Sequence, residues 1–202
     1  MRRKKINIAN MNNKRGVSMI VVLLILVIVS LLGVAAVQVS QMATKSARNE
    51  RDIQIAWQAA EAVLLDAELD IIGKKAGDRS KVFINNDTDI SKFIEGCGAS
   101  GVSKGLCSYQ ENTLPAWLSV DFMATTTPKY VSFGEFTDRT FSAGAAGIQP
   151  AAAPRYIIEI LDDPNIERTK SVEYRKYIYR VTAVGFGPNI NTQVVLQTIY
   201  RN

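Results

Sequence analysis

From Val17 to Val37 the chain carries no charged residue, and Ser18 and Ser30 are its only polar side chains. Such a run predicts a helix. At about 1.5 Å per residue it spans about 30 Å, the thickness of a bilayer's hydrocarbon layer. From Gln38 to Ile72 the helical pattern continues while polar residues enter. Ile53, Trp57, Ala60, Leu64, Ala67 and Ile71 recur at steps of three and four, which places them on one face. Ile55, Ala59, Ala62, Leu65, Leu69 and Ile72 form a second stripe, and Asp52, Gln54, Gln58, Glu61, Asp66 and Glu68 separate the two. A helix apolar on two sides needs cover on two sides. Either its own domain and a neighbouring subunit supply it, or the helix is deeply buried in one domain. No proline precedes Pro115 and no turn cluster precedes Gly73. The expectation is therefore one helix over 17–72, about 84 Å long if unbroken, with Gly73 as its stop signal.

Residues 73–128 lack sustained periodicity, and Lys74, Lys75, Asp78, Arg79 and Lys81 read as a solvated surface. Strand patterns occupy the last third, about 129–202. Lys129–Phe136 and Arg155–Leu161 are short β-rich runs, separated by the Ala/Gly/Pro stretch Ala143–Pro154. Tyr174–Phe186 alternates, with Tyr177, Tyr179, Val181 and Ala183 on one side and Arg180 and Thr182 on the other. After a turn at Gly187–Asn191, Gln193–Arg201 returns, Val195, Gln197 and Ile199 alternating with Val194, Leu196 and Tyr200. Antiparallel strands on one long helix make an α+β layer.

Composition narrows the chemistry. There is no histidine, which removes Ser-His-Asp and Cys-His nucleophile systems, imidazole bases and histidine-ligated metals. Two cysteines cannot make a four-thiolate zinc site. No cofactor is expected. Gly96-Cys97-Gly98-Ala99-Ser100-Gly101 matches G-x-G-x-x-G by letter, and Asp121 follows at the right distance, but no strand precedes it and no helix follows. Asp87 and Asp89 lack the glycine and closing glutamate of a calcium loop. Asp162-Asp163 before Pro164 reads as a turn. Asn86-Asp87-Thr88 is a glycosylation sequon by letter only.

The formal charge of +5 comes from 24 Lys and Arg against 19 Asp and Glu. Arg2, Arg3, Lys4, Lys5, Lys14 and Arg15 all lie ahead of the apolar run, and without those six the remainder carries a formal −1. The excess is a basic tail and not a nucleic-acid-binding stripe, so no nucleic-acid partner is expected. Basic residues flanking an apolar helix stay cytoplasmic, which places the C-terminal bulk outside the inner membrane. There, Cys97 and Cys107, separated by a Gly- and Ser-rich loop, are expected to form a disulfide, the alternative being two reduced thiols.

A cleaved secretory signal ending near Val34-Ala35-Ala36 is one alternative, but its apolar core normally spans only about 7–15 residues. Lys14-Arg15-Gly16 followed by Val17-Ser18-Met19-Ile20 resembles the prepilin leader of type IV pilins, in which the peptidase cuts after the glycine and the apolar helix is kept. Asn49–Ala62, above all Ala56-Trp57-Gln58-Ala59-Ala60-Glu61-Ala62, closely resembles the N-terminal signature of PilX-type minor pilins. Val184–Asn189 and Thr192–Gln197 resemble their C-terminal region. The resemblance implies a leader at 1–16 and cleavage at Gly16–Val17, with Val17 N-methylated. It implies a transmembrane or fibre-core half-helix at 17–37, an amphipathic half at 38–72 and a globular pilin domain at 73–202. Major pilins carry a glutamate at the fifth mature position, and here that position is Val21. Major pilins also place their disulfide near the C-terminus, so the Cys97–Cys107 loop departs from them. A start at Met11 would give a leader of six residues, as is typical of the family.

By the same resemblance the function is structural: a minor pilin that helps start the fibre near its tip. Its partners would be the prepilin peptidase, other minor pilins, the major pilin and a large tip adhesin. It would reside in the inner membrane and then in the pilus. A type II secretion pseudopilin shares the architecture. A membrane-anchored periplasmic enzyme would need clustered acid, base or nucleophile groups, and a sensor would need an output domain or a second span. Nothing in the pattern clusters catalytic groups, and no enzyme is expected.

Overall fold

The structure is a computed structural model, and it describes residues 17–73, 77–84, 87–111, 113–144, 148–164 and 177–201. Helix α1 runs Val17–Ile72 without a break, 56 residues in all. No proline or mid-helix turn residue interrupts it, and Gly73 ends it in the left-handed region at φ +71°, where a side chain is disfavoured. The chain divides into two compact units, residues 1–49 and 50–202.

In the second unit α1 supplies Glu50–Ile72, and a five-stranded sheet supplies the other layer. Its strands are β1 (Leu106–Ser108), β2 (Val131–Ser132), β3 (Arg155–Asp162), β4 (Tyr177–Phe186) and β5 (Gln193–Arg201). Their order is β1-β3-β4-β5, with β2 also paired to β3. β3, β4 and β5 are antiparallel neighbours in long register, Arg155↔Val184 to Asp162↔Tyr177 and Ile178↔Arg201 to Phe186↔Gln193. The turn between β4 and β5 is closed by Gly187 N–H donating to Thr192 C=O at 2.8 Å. Beside these strands lie a short helix, α2 (Ala116–Ser119), and three single-turn 3₁₀ segments.

Two strand expectations need correction. The sheet is mixed, because β1 lies parallel to β3 with Leu106 opposite Ile158, inside a stretch that reads as aperiodic. Of Lys129–Phe136 only Val131–Ser132 is strand. Beyond it Gly134 takes φ +80°, and an added Cβ there would lie 1.9 Å from the Arg139 carbonyl oxygen, so the chain turns instead of extending.

The main core lies between α1 and the sheet. Val63, Ala67 and Ile71 pack with Leu106, Val131, Tyr156, Ile158, Tyr179, Val181 and Ala183, and with Phe83 and Phe93 from the segment after the helix. Tyr179, Val181 and Ala183 thus use the face their alternation predicts. Gly185 brings β4 against the helix: a Cβ there would sit 2.1 Å from the Ala56 carbonyl oxygen and 2.4 Å from the Ala60 nitrogen. The helix answers with alanines at 56, 59 and 60, all buried. A smaller core on the other side of the sheet joins Ile157 of β3 to Cys97, Cys107, Ala116, Val120 and Tyr130.

Candidate membrane anchor and assembly surfaces

Every described side chain from Ser18 to Asn49 is exposed. Val21, Leu24, Leu26 and Val29, for example, each leave about half their surface or more uncovered. Burying one such side chain is worth about 1.5–3 kcal/mol, so in water this segment forgoes tens of kcal/mol. It needs lipid or other apolar helices around it. Among the described residues this is the one helix long and apolar enough to cross a membrane. Ser30 Oγ donates to the Leu26 carbonyl at 2.7 Å, which satisfies its hydroxyl without a partner from outside. Val17 is the first residue of α1. Gly16 and the basic tail lie outside the described residues.

Further along, the buried face of the helix takes only part of each stripe read in the sequence. Ala60, Ala67 and Ile71 of the first stripe and Ala59 of the second are buried, together with Ala56, Val63, Asp66 and Asp70, which lie between the two. From the first stripe Ile53 and Trp57 are exposed, and from the second Leu65 and Ile72. Asp66, expected as a polar divider, is buried, as is Arg79, expected on a solvated surface. The reason is pairing. The Asp66 carboxylate accepts from Gly134 N–H at 2.7 Å, from the Thr137 hydroxyl and from Arg139 at 3.4 Å. Asp70 accepts from Arg79 Nη2 at 2.8 Å and from the Tyr156 hydroxyl at 2.9 Å. Arg79 also donates to the Val102 and Lys104 carbonyls, and its guanidinium lies 4.2 Å from the Phe136 ring centroid. Burial, with the Asp70 charge beside it, raises the Tyr156 phenol well above its ordinary pKa and keeps it a donor. A hydropathy pattern scores aspartate as polar and cannot show that guanidinium, hydroxyl and amide donors await it.

A third buried carboxylate, Glu159 of β3, is engaged on both oxygens. Arg180 Nε donates to Oε2 at 2.9 Å, while Oε1 takes Arg180 Nη2 at 3.0 Å and the Ala116 backbone N–H at 3.0 Å. These three carboxylates tie segments together, each through an arginine. No group of three or more His, Cys, Asp or Glu that could hold a metal occurs among the described residues.

The remaining sequence candidates are structural too. Cys97 and Cys107 form a disulfide with a Cα–Cα distance of 4.1 Å. Within the loop it closes, Gly98 lies so close to Ser103 that a Cβ would meet the Ser103 carbonyl oxygen at 2.2 Å. The segment is preceded by an isolated bridge at Ile94 and followed by the 3₁₀ turn Gly101–Ser103. The strand and helix of a dinucleotide fingerprint are therefore not formed, and the glycines serve the tight loop. Asp89 caps the turn Ile90–Lys92, accepting from Ser91 N–H at 3.1 Å. Asp162 ends β3, and Asp163 pairs with Arg201 at 3.0 Å. Asn86 of the sequon lies outside the described residues.

A long apolar helix entering a domain where its second part packs on a small β-sheet defines the class: an α+β, pilin-like subunit with an N-terminal membrane anchor. The particular family follows from two family models. PilX N-terminal matches residues 15–65, and the C-terminal model of the type IV pilus assembly protein PilX matches residues 103–202. The chain belongs to the PilX-type minor pilins of type IV pili. No curated protein and no solved structure matches it with significance.

Proposed function

We propose that this minor pilin takes part in starting the pilus and occupies a place in the tip complex. Val21 carries the reading. In major pilins the fifth mature position is a glutamate that complements a neighbouring subunit's N-terminal ammonium. A carboxylate inside a membrane-spanning helix is costly, so a subunit keeps it only where it is used. A valine there suits a subunit with no neighbour above it to neutralise. Cleavage between Gly16 and Val17 by the prepilin peptidase would leave Val17 as the N-methylated first residue. The basic tail stays cytoplasmic and the domain periplasmic until α1 leaves lipid for the fibre core. Other minor pilins, the major pilin and a large tip adhesin are the partners.

Two measurements test this. Mass spectrometry of protein from sheared fibres should find N-methylated Val17, whereas a mature end after Ala36 would remove the chain from pilin processing. An epitope tag should label purified fibres at one end, and even labelling along their length would refute the tip position.

A further inference from the structure

β5 is the outer strand on the β4 side of the sheet, and among the described residues none pairs with its far edge. Nine residues, Gln193–Arg201, thus turn alternate N–H and C=O groups outward. Edges of this length are ordinarily guarded by a lysine, a proline, a bulge or an inward charge. β5 has none of these. Its register with β4 is unbroken over its whole length, and its one charged side chain, Arg201, is engaged with Asp163. On the sheet face away from α1, Val195 and Ile199 are 54% and 57% exposed.

The strand is also self-complementary about Gln197. Set antiparallel against an identical strand with Gln197 opposite Gln197, Val195 faces Ile199, Leu196 faces Thr198, Val194 faces Tyr200 and Gln193 faces Arg201. Apolar residues on the exposed face then meet apolar residues, no like charges meet, and each side chain keeps its face of the sheet. In-register parallel pairing would instead set Arg201 beside Arg201. We propose that two copies of this chain join edge to edge through β5, antiparallel and centred on Gln197, to form one continuous sheet. The two-fold axis, perpendicular to the sheet, keeps the Glu50–Ile72 segments of both copies on one face. The pairing does not depend on where the subunit sits in the fibre.

Cysteine cross-linking of the full chain in detergent tests it. Opposed Cα atoms in an antiparallel pair lie about 4.5–5.5 Å apart, within disulfide reach. Gln197→Cys should form a reducible dimer. Val195→Cys and Ile199→Cys should each fail alone and link when mixed. In analytical ultracentrifugation the wild-type chain should dimerise, and Val195→Lys with Ile199→Lys should weaken the dimer at least tenfold. Circular dichroism should stay unchanged, because both side chains are exposed. Four results would each overturn the proposal: a monomeric wild type, equal linking at all three positions, dimerisation undiminished by the two lysines, or Gln197→Cys captured in cells only by a different protein.

Discussion

Asp70 shows at the scale of one residue how a charge becomes part of this core. The residue is 3% exposed, and its carboxylate meets Arg79 and the Tyr156 hydroxyl, both buried. Asp70→Ala would leave a buried guanidinium without its counter-charge, and breaking such a buried pair costs about 3–5 kcal/mol. Urea unfolding should show that loss, and Asp70→Leu combined with Arg79→Met should recover much of it. Tyr156 gives the pH dependence. Its pKa is raised in the folded chain, so the unfolded phenol releases its proton first, near pH 10, while the folded one stays neutral. Its contribution is complete below that value and falls as the pH climbs toward the folded pKa. Stability measured by urea unfolding between pH 8 and 11 should decline, and Tyr156→Phe should make the decline shallower. None of this pairing was legible in the sequence. Asp66 and Arg79 read as polar or solvated because a linear pattern registers polarity and not the partners that fold in: donors from Gly134, Thr137 and Arg139 for Asp66, and the Asp70 carboxylate with the Val102 and Lys104 carbonyls for Arg79.

Among elements, the long-register strands were the most readable. Gln193–Arg201 is strand over the span its alternation predicts, and β3 extends Arg155–Leu161 by one residue. β1 was not readable: three residues in parallel pairing leave no periodicity, and Leu106 is placed by its partner Ile158. The buried face of α1 was only partly legible for a related reason. Large side chains dominate an apolar stripe, whereas this helix packs through alanines because Gly185 brings β4 against it. Gly185→Ala should cost about 1–3 kcal/mol, toward the upper end because the clash is with helix backbone, and thermal unfolding would register it. Replacing Cys97 and Cys107 together by serine opens a short loop and should cost about 2–3 kcal/mol by chain entropy. Unfolding with and without reductant would measure the same difference in the native chain.

For the whole molecule the decisive quantity is the apolar surface of α1 that no described residue covers. The full chain should remain in the membrane pellet through alkaline carbonate extraction. Val27→Asp, near the middle of the run, should lower insertion, since that charge costs about 2.5–3.5 kcal/mol at a helix centre. The sequence by itself determined the helix over 17–72, its membrane-length apolar half, the last two strands and the family. These follow from local periodicity and from motif wording, and both are written contiguously along the chain. Only the tertiary structure decided which helix face is buried, that Asp66, Asp70 and Glu159 are tied inside by arginines, and that β5 has an edge unpaired among the described residues. Each of those depends on distant segments meeting, where a glycine's missing side chain or a waiting guanidinium settles an outcome that hydropathy alone leaves undefined.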